Sequence, residues 1–575
     1  MHWADVIASE LLEQGTKHRI ATGITPSGHI HVGNMREILT GDIIHRALKD
    51  KGGDSTLYYL GDTFDPLRKV YPFLDKSYQQ YVGRPLSEIP CPCGNHESYA
   101  VHFLEPFMES LDRLGVDYTP LLIHELYKQG KYAESVRKVI ENRDTIKEIL
   151  ERVSGRTLPK GWFPYTPKCS ECGTFGGKVI EYTYPFVTYS CSCSSDGTTS
   201  KSSTSNLSSS DPSLSNPQKS NSSSLNSSLS NPSISNSFAS EVFEGRADIR
   251  SDDGKLPWRV DWPARWWFLG ITCEPFGKDH GAAGGSYDTG TEIVRKVFER
   301  SAPHPLMYEW IQLKGKGAMS SSTGVVVTGV EMLKMTPPEV LRFLISKQNP
   351  SKHIDFDPGL GVLNLVDEYD RAERIYYGID PDPEAGDIPR SYELSDPHVD
   401  YQQHLPDDVS RSAKKMALQV PYRHLVTLVQ LTDDFEELKD RIKRTEGIED
   451  FSSDAEERLL ERVDCCRHWV DNFAPAGVKF ALQQVMPSFS PNPQEREFLN
   501  RLHHVLGASK WEAEDIHKNI HESSTDLGAK KAFRVLYQIF LGNNRGPRLG
   551  FFLSSLDRDF VVGRLDEASL AKDGQ

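Results

Sequence analysis

At 575 residues, the chain exceeds what one hydrophobic core can organise and predicts three or four structural units at roughly 150 residues each. Mean hydropathy is −0.49 and no apolar run approaches the ~18 residues of a membrane span, which excludes a spanning helix and a membrane partner. Sixty-six Lys plus Arg against 81 Asp plus Glu give a net charge of −15, so overall charge does not bring the chain to nucleic acid and no DNA partner is expected.

Residues 1–15 carry Asp5, Glu10 and Glu13 with no basic lead or apolar signal core, the pattern of a protein that stays in the cytoplasm. The nine cysteines are an odd number without an export signal, so clustered thiols point to metal rather than disulfides.

In chain order, His18–Ile24 predicts a strand; Met35, Ile38, Leu39 and Ile43 share a helical face; Ser55–Leu60 predicts a second strand. This βαβ unit predicts an α/β fold with a doubly wound parallel, Rossmann-type sheet. Between strand and helix, Gly28 and Gly33 allow close backbone approach to a ligand, and a helix starting near Asn34 aims its free amides at a phosphate. His31 and Asn34 can both donate to phosphate oxygens there.

Cys91, Cys93, His96 and His102 supply two thiols and two imidazoles, the chemistry of a closed tetrahedral zinc site, with buried free cysteines as the alternative. Cys169 and Cys172, then Cys191 and Cys193 across a predicted β-hairpin, form a second, ribbon-like set, so up to two structural Zn2+ ions are expected. Residues 194–240 contain 22 serines in 47 positions, a composition unable to offset chain entropy, and predict a disordered insertion extending a loop.

Residues 314–324 form a small hydroxyl-rich loop with Lys314 and Lys316, suited to closing over a triphosphate; the alternative is a surface turn. Residues 380–408, rich in Pro and Asp, could link domains. Val362, Val366, Tyr369, Ala372 and Tyr376, then Phe533, Leu536 and Phe540, keep helical spacing and predict an all-α helix bundle after about Pro337. Cys465 and Cys466 read as core. Lys530, Lys531, Arg534, Arg545 and Arg548 lie in a stretch without acids, either an RNA contact or a solvated helix face.

His31-Val-Gly-Asn34 and Ala318-Met-Ser-Ser-Ser322 resemble the two signatures of class I aminoacyl-tRNA synthetases. Residues 63–70, 96–100, 255–266, 274–280, 284–290, 540–553 and 556–561 resemble the class I lysyl-tRNA synthetases of archaea and some bacteria. The resemblance implies activation of L-lysine by ATP to lysyl-adenylate, with Mg2+ accompanying the nucleotide, and transfer to the terminal adenosine of tRNA-Lys. It implies transition-state roles for His31, Asn34, Met319, Ser320, Ser321 and Ser322, and ATP contacts from Gly28, Gly33, Gly277, Asp279, Lys314 and Lys316.

The amino-acid pocket it implies contains Gly23, Thr25, Trp258, His280 and Tyr308; Trp258 could equally be core packing against neighbouring tryptophans. Asp65 and Arg68 form either a structural ion pair or a direct contact. Ala318 departs from the usual lysine at its signature position, which leaves Lys314 or Lys316 to supply the cation. The implied organisation is a catalytic part over 1–335, with a zinc-bearing insert at about 80–245, and an α-helical anticodon-binding part over 336–575. Specificity for another amino acid and a non-catalytic tRNA-binding paralogue are the rival readings.

Overall fold

A computed structural model describes residues 1–193, 242–315, 317–318 (backbone only), 327–398 and 416–571. The serine-rich stretch, Lys316 and Met319 to Ser322 lie outside the described residues, as does most of the second half of 380–408.

Helix α1 (Trp3–Leu12) precedes strand β1 (Lys17–Ile24), helix α2 (Val32–Asp50) and strand β2 (Asp54–Gly61), within a residue or two of the limits read from periodicity. β1 and β2 pair in parallel from Lys17↔Asp54 to Ile24↔Gly61. Helix α3 (Tyr99–Arg113) leads to strand β3 (Thr119–Leu122), which joins β2 in parallel. On the other side of β1 lie the parallel strands Cys273–Gly277 and His304–Tyr308, tied by Ile20↔Cys273 and by Tyr308↔Gly277. The five-stranded parallel sheet therefore reverses its strand order between β1 and Cys273–Gly277. In such sheets the crevice for a ligand opens at the carboxyl ends of the two strands flanking the reversal.

α2 lies tightly on β1: a Cβ at Gly41 would come within 2.9 Å of Thr22 Cγ2, so the close approach requires glycine. Met35, Ile38, Leu39 and Ile43 are fully buried in this layer. The same apolar core continues into helices Pro338–Ser346, Leu360–Tyr376, Tyr422–Leu428 and Ser453–Asn472. Asp42 of α2 ion-pairs with Arg46 at 2.9 Å and with Arg342, all three buried; removing one partner would strand a charge in the interior. Cys465 and Cys466 are buried in this core, as expected.

A second core packs the other face of the sheet around Trp262, Trp266 and Tyr127 and reaches the four cysteines Cys169 to Cys193. A third holds helices Pro493–Ala508, Ala513–Ser523, Ala529–Leu541, Leu549–Ser554 and Arg558–Leu570. Past Pro337 the described chain is helical apart from the short strand Ile354–Phe356. The two cysteine groups hang on separate excursions from the sheet, with β3 between them. No helix among the described residues is long and apolar enough to cross a membrane.

Candidate active site

β1 ends at Ile24, and the chain crosses the crevice through Thr25 and Gly28 to His31, the extended residue (φ −105, ψ 167) on which α2 begins. Asn34 Oδ1 accepts the His31 N–H at 3.2 Å. That bond fixes the amide so that its NH2 remains the outward donor, beside the positive end of a 19-residue helix. Burial lowers the His31 imidazole to about 4, so it is neutral at pH 7 and available as a hydrogen-bonding group rather than a cation. Its Nδ1 is buried without a partner among the described residues, an orphan that asks for a ligand.

The second loop returns to this helix. Thr328 forms an isolated antiparallel bridge with His31, and Val32 N–H donates to Val327 carbonyl oxygen at 2.9 Å. On the outgoing side, Ile311–Leu313 pairs with the backbone of Gly317–Ala318 and with Ile354–Phe356. Arg36 binds this stem to α2, donating to the carbonyls of Trp310 (3.3 Å), Pro350 (3.2 Å) and Lys352 (2.7 Å). Lys314 is exposed and 3.4 Å from Asp357. The chain that follows the second loop is thus described again from Val327 and Thr328, which lie against Val32 and His31.

Between the end of β1 and Tyr308 lies a carboxylate that sequence reasoning missed. Glu37 Oε1 accepts the Gly23 N–H at 2.7 Å and Oε2 accepts the Tyr308 hydroxyl at 2.6 Å. Burial pushes its pKa up to about 7, against the pull of those two donors. Its available signal was spacing: His31, Asn34 and Glu37 recur every three residues along one helix edge.

Thr25 donates to Asp65 Oδ2 at 2.9 Å. The Asp65–Arg68 alternative resolves otherwise: Arg68 is exposed, and Asp65 pairs with Lys255, from beyond the ribbon.

On the opposite wall, Trp258 stacks on Trp262 (5.2 Å between ring centroids, 17° between planes), and His280 lies 5.9 Å and 5.6 Å from the two rings. Trp258 nevertheless stays 39% exposed, so it joins the tryptophan stack while keeping surface for a ligand. The buried Glu274 accepts both indole N–H groups behind it, Trp262 at 2.7 Å and Trp266 at 2.5 Å. Burial raises Glu274 to about 8. Gly277 ends its strand at the same edge, with Tyr308 OH and Trp310 Nε1 just under 4 Å from where a Cβ would stand. Asp279 and His280 follow in a turn closed by His280 N–H to Gly277 carbonyl oxygen at 3.0 Å.

Away from the crevice, Cys91 Sγ, Cys93 Sγ, His96 Nδ1 and His102 Nδ1 stand 3.2–3.5 Å from one another across all six pairs. Cys169, Cys172, Cys191 and Cys193 bring their sulfurs within 4.8 Å of one another. Their hairpin, Lys178–Thr183 with Phe186–Cys191, is antiparallel as expected. Both groups could hold a metal ion.

The model of the family described as tRNA synthetases class I (K) matches residues 1–398. The chain is 40% identical to a lysine–tRNA ligase of Picrophilus torridus, each chain covered to 98%. It is 39% identical to lysine–tRNA ligase 1 of Methanosarcina acetivorans, covering 99% of this chain and 98% of that one. The lysine–tRNA ligase of Archaeoglobus fulgidus is 39% identical, over 99% of this chain and all of that one.

Proposed function

The chain belongs to the class I lysyl-tRNA synthetases, and from that membership we propose that the crevice at the sheet reversal is where this ATP-dependent lysine–tRNA ligase makes lysyl-adenylate. A lysine carboxylate oxygen attacks the α-phosphorus of ATP, pyrophosphate leaves, and the 3′-terminal adenosine of tRNA-Lys then takes the acyl group and releases AMP. Neither step needs a protein nucleophile. What the first step needs is alignment of two anions and relief of the charge that gathers on the phosphate as the new bond forms.

The residues present supply that. Neutral His31 and the Asn34 amide donate to the α-phosphate region at the helix N-terminus. Gly28, Gly33 and Gly277 leave room for nucleotide against bare backbone, and Asp279 and His280 border the ribose side. Met319 to Ser322, with Lys314 and Lys316 before them, are the residues assigned to pyrophosphate from the family signature. Mg2+ bound with ATP would offset phosphate charge.

Lysine lies along the end of β1: Glu37 takes one ammonium, Thr25 lies at the other end, and Trp258, His280 and Tyr308 enclose the aliphatic chain. The single observation that carries this reading is the backbone bridge between His31 and Thr328, which ties the return of the second signature loop to the first.

The two thiol groups fit structural zinc. In the first, the six ligand distances describe a tetrahedron of about 2 Å radius, matching zinc–nitrogen lengths; in the second, sulfur separations of 3.6 Å and 3.9 Å suit four thiolates about a zinc ion. Each set lacks an open position for substrate. Residues 336–575 would carry tRNA, with exposed Lys530, Lys531, Arg534, Arg545 and Arg548 towards its phosphates, in a cytoplasmic enzyme.

Lysine-dependent exchange of pyrophosphate into ATP, followed by aminoacylation of tRNA-Lys, tests the reading. Exchange driven by a different amino acid, or none by any, would overturn it.

A further inference from the structure

The hydroxyl of Thr25 is held in one polarity. Its proton goes to Asp65 Oδ2 at 2.9 Å, and Asp65 is held in turn because Oδ1 is paired with the largely buried Lys255 ammonium. Lys255 is fixed by its own strand, which pairs Thr166↔Lys255 and Pro167↔Gly254, two residues before Cys169. With its only proton spent, Thr25 Oγ1 offers lone pairs to the crevice and accepts.

Two residues back along the chain, at the amide of Gly23 in β1, the Glu37 carboxylate of α2 is a second acceptor. At about 3.3 Å per residue, the backbone sites that carry these two acceptors, Gly23 and Thr25, stand roughly 6.6 Å apart along an extended chain. The six single bonds between the two nitrogens of lysine, near 1.5 Å each, span about 6 to 7.5 Å. Thr25 lies nearer the loop to His31, so an α-ammonium there turns the adjoining carboxylate towards the nucleotide.

We propose that Asp65, clamped by Lys255, is a positioning residue that makes Thr25 an acceptor for the α-ammonium of lysine and so sets which end of the substrate faces ATP. The proposal rests on the lysine reading above. Asp65→Asn should reverse the hydroxyl: Lys255 claims the amide oxygen, the NH2 faces Thr25, and the threonine proton turns into the crevice.

The test uses full-length protein and calorimetric affinities for L-lysine, for 6-aminohexanoate, which lacks the α-amino group, and for norleucine, which lacks the ε-amino group. In Asp65→Asn, in Lys255→Met and in Thr25→Val, the preference for lysine over 6-aminohexanoate should fall by about tenfold or more. The preference over norleucine, which reads Glu37, should stay within about twofold, a split that general loosening would not produce. The double variant Thr25→Val/Asp65→Asn should lose no more than Thr25→Val alone, as expected for residues acting in series.

Retention of the α-amino preference in both Asp65→Asn and Lys255→Met, or additive loss in the double variant, would overturn the proposal while lysine-driven exchange leaves the broader reading standing. If Asp65→Asn fails to fold, Lys255→Met carries the same comparison. Wild-type protein that binds no lysine would overturn both.

Discussion

Glu37→Gln is the sharpest perturbation of the crevice. The carboxylate takes its two hydrogen bonds from Gly23 N–H and Tyr308 OH, and burial has already raised it to about 7, so a ligand ammonium beside it would be a buried, hydrogen-bonded charge partner. Removing one member of a buried, hydrogen-bonded charge pair costs about 2–5 kcal/mol, which is roughly 30-fold to a few thousand-fold in kcat/KM for lysine. The loss should sit in the KM for lysine, with the KM for ATP little changed, in pyrophosphate exchange.

The pH dependence has a definite sign. A carboxyl raised to about 7 is protonated below that pH, and lysine must expel the proton to bind. Wild-type affinity should therefore fall about tenfold per unit as pH drops below 7, while Glu37→Gln should be flat over the same range. Unchanged lysine KM in the variant, or the same pH slope in both proteins, would refute the placement of the ammonium at Glu37.

His31→Ala should slow adenylate formation by about 100-fold or more, the scale of one lost transition-state donor, with melting unchanged; because burial lowers the imidazole to about 4, the wild-type rate should show no titration of His31 between pH 5 and 8, and a variant of normal rate would remove it from the mechanism. Strong chelation should release up to two zinc ions and lower the melting temperature, and metal analysis finding none would refute both assignments. The strands on either side of the serine-rich stretch pair Cys191↔Phe243, so replacing 196–240 by a short turn should preserve register, melting and aminoacylation; a large loss of either would show that the stretch contributes contacts. Glu274 is raised to about 8 mainly by burial, so its share of stability is present below about 4.5 and is lost as pH rises towards 8; melting curves of wild type and Glu274→Gln should converge in slope below pH 4.5 and diverge above it, and parallel curves throughout would refute it.

The parts legible in the sequence were those written in local pattern. β1, α2 and β2 follow from period and from a glycine-bearing turn, His31 and Asn34 from their place at a helix start, and the thiol groups from ligand spacing. The parts that were not legible depend on contacts between distant segments. Tyr308 reaches Glu37 across 271 positions and Lys255 reaches Asp65 across 190, whereas proximity along the chain offered Arg68, three residues from Asp65. Trp258 was ambiguous for a physical reason: one indole face packs on Trp262 while the side chain keeps 39% of its surface exposed, so the packing reading holds and the exposed surface leaves the proposed pocket role open to it.

Glu274 gives the general case. In sequence it is an ordinary acid before Pro275; in the fold it is 7% exposed and its two oxygens are shared between two indoles. A carboxyl placed there costs desolvation that an apolar residue would avoid, and a glutamine could accept only one of the two indole protons. The arrangement makes sense where the gain is geometric: Trp262 and Trp266 are each pinned by a short bond, and the ring of Trp258 is stacked on the first of them at the edge of the proposed lysine pocket.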